Sequence, residues 1–358
     1  MEIICAFSSD SRKLYQADIY RVLSLPNNHI IHFRYKRSWI DDNLLAEDHS
    51  KLTGKDVAIF YSHGNELHGK KDIFNTSIRY AKIVKTEVSD ATSVFHVYMQ
   101  LKDFANLSIA SSNAIERLPP TKFFSKLNCT KHTDGDNWAA RVNAIKEHFI
   151  DITYFQIKGI YRKRGICRRW EVVPSKTFEN NQFTTYDLLH GSRYLLKLSI
   201  ANPGKNSNES SKPTPSKSKI IITDSSGELT LNTINPLETS IQFDDVEIPL
   251  TVKTLQINSQ ASLLSFQPIV EGKNSPIKDQ SLPISNESYG EFAVHLDLNL
   301  RLSRWRAIGF GLLSGLAYMA LELSKATDIS DIKWWKASIA FSGISIIAGI
   351  LYYFYNKK

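Results

Sequence analysis

Two apolar runs lie near the end of this 358-residue sequence, at 305–321 and 337–355. Each approaches the roughly 20 residues needed to cross a hydrocarbon core. Between them Glu322, Lys325, Asp328, Asp331, Lys333 and Lys336 form a short polar link. A link that short returns the second helix across the same bilayer, so the expectation is a C-terminal two-helix transmembrane hairpin over 303–358. Arg301, Arg304, Arg306, Lys357 and Lys358 flank the runs on one side, against Lys325, Lys333 and Lys336 in the link. Acidic residues count little in this comparison. The opening MEIICAFSSDSRK has no basic start, apolar core and small-residue cleavage site. The expected location is therefore the cytoplasmic (inner) membrane, multi-pass, with the rest of the chain in the cytoplasm.

The same runs carry small or polar stripes at helical spacing. Gly311, Gly315, Tyr318 and Glu322 form one, and Ser338, Ser342, Ser345 and Gly349 the other. Small residues let helix backbones approach in lipid. The stripes are expected either to pack within one hairpin or to join several chains around a polar pathway. A pathway needs a homo-oligomer, because two helices enclose no pore.

The remainder reads as mainly β, with β-barrel or β-sandwich regions and one short helix. At 42% hydrophobic and 11% aromatic residues, the chain has material for real cores. Alternation is strongest at 291–302, where Phe292, Val294, Leu296, Leu298, Leu300 and Leu302 face one way. A hairpin is expected at 78–88 and 94–101, strands at 152–161 and 167–173 with a tight turn around Gly165, and a helix at 138–149 capped by Asp134 or Asp136. The Ser/Pro/Lys/Asn-rich segment 203–219 is too polar to offset its ordering entropy and reads as a flexible loop. The expected divisions are a β-rich domain at 1–127, a helix plus sandwich-like domain at 128–302, and the hairpin.

A formal charge of +8 and a pI near 9.1 favour an anionic partner: nucleic acid, nucleotide or acidic lipid. The densest basic cluster is Arg162, Lys163, Arg164, Arg168 and Arg169, flanked by Tyr161 and Trp170. Such a hairpin tip suits phosphates, with Trp170 stacking on a base. It equally suits lipid headgroups or plain solvation. A second basic group, His32, Arg34, Lys36 and Arg37, reads as the polar face of a strand.

Signals for catalysis are sparse. His63, Glu66 and His68 follow a strand, but their spacing matches no zinc motif. His132, Asp134 and Asp136 suit a turn as well as a cation. The three cysteines, Cys5, Cys129 and Cys167, show no metal spacing or disulfide framework. No cofactor is expected.

In layout, a basic β-rich portion followed by the 305–358 hairpin, the chain resembles prokaryotic antiviral-defence membrane effectors. That resemblance implies a cytosolic sensor for a nucleotide or oligonucleotide signal coupled to a membrane channel. The leading expectation is accordingly a non-enzymatic, oligomeric membrane effector gated by an anionic ligand. The alternatives are a membrane-anchored hydrolase of nucleotide or lipid, with His63, Glu66 and His68 as candidates, and a scaffold that recruits a partner complex.

Overall fold

The computed structural model describes residues 1–47, 49–65, 72–89, 93–109, 122–150, 152–164, 169–177, 183–201, 218–239, 243–253, 260–269, 290–302 and 343. The N-terminal elements are β1 (Glu2–Ser9), α1 (Lys13–Ser24), β2 (Ile30–Lys36), α2 (Asp42–Ala46), β3 (Asp56–Asn65), β4 (Asp72–Ser89), β5 (Val94–Phe104), β6 (Leu107–Ile109) and β7 (Phe124–Lys131). After α3 (Trp138–Ile145) come β8 (Tyr154–Arg164), β9 (Arg169–Val172), β10 (Ser175–Thr177), β11 (Thr184–Leu189) and β12 (Arg193–Ala201). The last are β13 (Ser218–Asp224), β14 (Leu229–Leu231), β15 (Leu237–Thr239), β16 (Phe243–Val252), β17 (Gln260–Ile269) and β18 (Val294–Arg301).

β1 occupies the interior of a seven-stranded mixed sheet in the order β2-β5-β4-β3-β1-β7-β6. It runs parallel to β3 and antiparallel to β7. Its residues Ile3 to Ser9 are all buried because both faces are covered, which explains its continuous apolar run. Ile4 and Ala6 enter the main core. Ile3, Cys5 and Phe7 enter a second cluster with Phe60, Leu107 and Cys129. There the Cys5 and Cys129 sulfurs lie 3.6 Å apart. The position 127/128 falls inside β7.

The second half contains a six-stranded sheet, β10-β11-β18-β17-β13-β15, and a five-stranded sheet, β14-β16-β12-β8-β9. Leu296, Leu298 and Leu300 of the first share one core with Ile157, Leu196 and Leu250 of the second. Phe155 and Phe266 meet across the two sheets at 5.7 Å. This is a β-sandwich built on alternating inward residues.

α1 ties the two halves together. Its Tyr20 hydroxyl donates to the Thr153 carbonyl at 2.5 Å. At its C-terminal end the fully buried Arg79 of β4 donates to the carbonyls of Val22 and Leu25 at 2.7 and 2.6 Å. Arg79 also donates to the Lys102 carbonyl and the Asn27 side chain, and its guanidinium lies 4.4 Å from the Phe104 ring centroid.

His29, beside this cluster, is buried, and its Nδ1 has no partner among the described residues. Burial first, and then the nearby Arg79 charge, lowers its pKa to about 4 from 6.5. The unfolded chain therefore binds a proton near pH 6.5 that the folded chain refuses until about pH 4. Stability should fall as pH drops through that window, by roughly 3 kcal/mol from this group. Urea unfolding of the protein and of His29→Leu at pH 7 and pH 4.5 checks this: the variant should lose less stability on acidification. Equal losses would contradict it.

The fold is mainly β, but four expectations need correction. Among the described residues no helix is long and apolar enough to cross a membrane. α1, α3 and α2 span 12, 8 and 5 residues, against the roughly 20 a span requires. The described fold therefore gives no support to the expected C-terminal transmembrane hairpin or to the multi-pass cytoplasmic-membrane location, and both expectations are withdrawn. Residues 303–358, apart from Gly343, lie outside the described residues, and so do Gly311, Gly315, Tyr318, Glu322, Ser338, Ser342, Ser345 and Gly349. Among the described residues the single short helix becomes three α-helices. The helix at 138 is capped by the Asn137 side chain, which accepts from Ala140 N at 2.8 Å, not by Asp134 or Asp136. Most of the Ser/Pro/Lys/Asn-rich segment, 202–217, also lies outside the described residues.

Candidate anionic-ligand site

The basic cluster sits on the β8–β9 hairpin at one edge of the five-stranded sheet. The strands pair Tyr161 with Val172, Arg162 with Glu171, Lys163 with Trp170 and Arg164 with Arg169. All four residues of β9 are exposed. Gly159 of β8 adopts φ +144°, next to the register shift between Lys197 and Leu198 of β12. A side chain is strained at that φ. An added Cβ would also meet Val172 and Tyr161 at 3.7 and 3.8 Å.

Residue alternation divides the cluster. Cross-strand partners share a face, so Tyr161, Lys163, Trp170 and Val172 lie on one side, and Arg162 and Glu171 on the other. On the first face Lys163 Nζ lies 5.1 Å from the Trp170 ring centroid. Trp170 is 40% exposed and Val172 55%, both high for large apolar side chains at a sheet edge. Lys197 of β12 adds a second pair, its Nζ 5.0 Å from the Tyr161 ring centroid. Two cation–aromatic pairs thus stand side by side.

Neighbouring charges separate bound cations from available ones. Lys158 donates to both Asp245 oxygens at 2.8 Å, and Ser199 donates to the same carboxylate at 2.6 Å. These hydrogen bonds hold the Asp245 carboxyl below its usual range. Lys197 is paired with Glu247 at 2.6 Å, which raises the lysine pKa. Among the described residues Arg162, Lys163 and Arg169 form no ion pair. Arg168 and Gly165 lie outside the described residues, and Arg164 is described by its backbone only.

The sequence reading grouped Arg162, Lys163, Arg164, Arg168, Arg169 and Trp170 as one surface. The structure puts Lys163 and Trp170 together, sends Arg162 to the opposite face, and adds Lys197 from a distant strand. Lys197 carried no local signal. It reaches the site through the β12–β8 pairing alone.

The other candidates are structural in character. His63 is buried and stacks on His148 at 4.1 Å and 15°. Burial, and then His148, lower its pKa to about 4. It is therefore a neutral packing group at pH 7. Glu66 and His68 lie outside the described residues. His132 meets Ser108 Oγ at 2.8 Å. Among the described residues no cluster of three His, Cys, Asp or Glu side chains is arranged to hold a metal ion. His32 stacks on His96 and Tyr98 at 5.1 and 4.5 Å along the outer face of its sheet. A bowl of about 680 Å³ near Met1 includes Lys55, Lys102 and Lys126. Glu47 binds two of these, Lys55 at 2.7 Å and Lys126 at 3.1 Å, leaving mixed charge there.

No protein-family model and no characterised protein matches the chain. Among solved structures, the VesB protease of Vibrio cholerae aligns at 7% identity and TM-score 0.19, covering 77% of this chain and 96% of that one. The secreted serine protease VesC of the same organism aligns at 8% identity and TM-score 0.18, covering 77% of this chain and 69% of that one. Likenesses at this level carry no argument about fold or activity.

Proposed function

We propose that the chain is a binding protein for a phosphate-rich anionic ligand, a nucleotide or oligonucleotide, taken up on the Tyr161/Lys163/Trp170/Lys197 face. The observation that carries this reading is the pair of adjacent cation–aromatic contacts on one exposed sheet face. Lys163, which forms no ion pair among the described residues, and the aromatic rings on which bases stack are the two ingredients of sequence-tolerant strand binding, with Lys197 held by Glu247 at the border of the face. Edge strand β9 leaves this face accessible. The wider role we attach to it is a homo-oligomeric, signal-responsive effector of the antiviral-defence kind, acting by binding rather than catalysis. No membrane channel forms part of the proposal.

The test uses a fluorescently labelled mixed-sequence single-stranded oligonucleotide. Trp170→Ala should weaken binding about tenfold or more, at roughly 1–3 kcal/mol per stacked base. Lys163→Ala should weaken binding and lower the slope of log affinity against log salt by about 0.7, the value for one single-strand phosphate contact. Failure of the intact protein to bind, or identical affinity and salt slope in both variants, would sink the reading.

A further inference from the structure

A second concave site lies where β1 leads into α1. It is a cavity of about 130 Å³ walled by Phe33, Trp39 and Phe123, with Ser9, Asp18 and Arg34 among its polar lining. The Trp39 and Phe123 rings lie 5.3 Å apart at 41°. Tyr35 closes the inner end, its hydroxyl donating to the Phe7 carbonyl at 3.2 Å. The position is the carboxyl end of β1 beside its parallel neighbour β3, where sheet proteins with helical crossovers bind ligands. Apolar walls with a few convergent polar groups are the usual make-up of a small-molecule site. An apolar cavity of about 150 Å³ accommodates benzene, so this one of about 130 Å³ seats a single ring, and a two-ring base projects partly from its mouth.

The polar groups narrow the ligand. Asp18 Oδ1 accepts from Arg21 at 3.0 Å. Oδ2 receives no hydrogen bond among the described residues. The carboxylate therefore keeps acceptor capacity for N–H donors. Arg34 brings donors of fixed fork geometry, suited to adjacent acceptors such as a ring nitrogen and carbonyl oxygen. Guanine presents both features: N–H donors on one edge and an acceptor pair, O6 and N7, on another. We infer that this cavity binds the guanine base of a nucleoside or nucleotide, stacked against Trp39 and Phe123, with Asp18 accepting from its N–H edge and Arg34 donating to its acceptor pair. Burial raises the Asp18 pKa to about 6, with Arg21 and Arg34 opposing the rise.

The site is separate from the β8–β9 hairpin, and the experiment keeps the two apart by using uncharged guanosine as the probe. Titrating guanosine into the intact chain should quench tryptophan emission saturably, and uridine should bind at least tenfold more weakly. Asp18→Asn should weaken guanosine at least tenfold, and Trp39→Leu should remove most of the quench, both with an unchanged circular-dichroism spectrum. Saturating guanosine should leave oligonucleotide affinity unchanged. Equal binding of guanosine and uridine, no binding at all, or displacement of the oligonucleotide by guanosine would each overturn the inference.

Discussion

Replacing Arg79 by leucine should destabilise the fold by about 3–5 kcal/mol, because several buried acceptors lose their donor together. Arg79 is fully buried on β4 and supplies hydrogen bonds to the carbonyls of Val22, Leu25 and Lys102 and to the Asn27 side chain. Val22 lies in the last turn of α1 and Leu25 is its C-cap, so the guanidinium satisfies carbonyls that the helix cannot satisfy itself. Burial lowers the Arg79 pKa to about 9, which leaves the group charged at neutral pH. Lysine in its place restores a charge but not the planar fork, so Arg79→Lys should recover only part of the loss. Urea denaturation of the purified variants gives the answer. A cost below about 1 kcal/mol for Arg79→Leu would show that the helix end finds other donors.

Truncating Tyr20 to alanine should cost about 3–5 kcal/mol, in the range for large aromatic deletions from a core. The ring stands edge-on to Phe155 and Phe292, both at 5.7 Å, and so joins α1 of the N-terminal half to the sandwich of the second half. Tyr20→Phe keeps those contacts and removes only the hydroxyl that donates to Thr153 O, so about 1–3 kcal/mol is expected. Thermal or urea unfolding separates the two effects. Equal losses in both variants would place all the energy in the hydrogen bond and none in the aromatic packing.

Some of this was legible in the sequence for a clear reason. β18 shows strict alternation because one face enters the sandwich core and the other does not. The β4–β5 hairpin and β8 were visible for the same reason. α1 was not read from sequence. Its N-cap is Arg12, which makes no side-chain cap, so the usual start signal is missing. β7 and β11 were also missed. β7 is polar over much of its length and is held by pairing with β1, about 120 positions away in register. β11 is held by parallel pairing with β18. The cavity beside β1 was invisible as well: Phe33, Asp18 and Phe123 come from three separated segments, and Arg34 was read as solvated strand surface.

By itself the sequence determined the β-rich character, the basic balance and the aromatic–cationic composition of the β8–β9 hairpin. These are local properties, set by side-chain period and by neighbours along the chain. The tertiary structure alone decided which members of that cluster share a face, that Lys197 joins them, that Arg79 is the buried closure of α1, and that a cavity opens beside β1. Among the described residues it holds no helix long and apolar enough to cross a membrane. Each of these outcomes depends on strand pairing and burial between residues far apart in sequence, which no local pattern encodes.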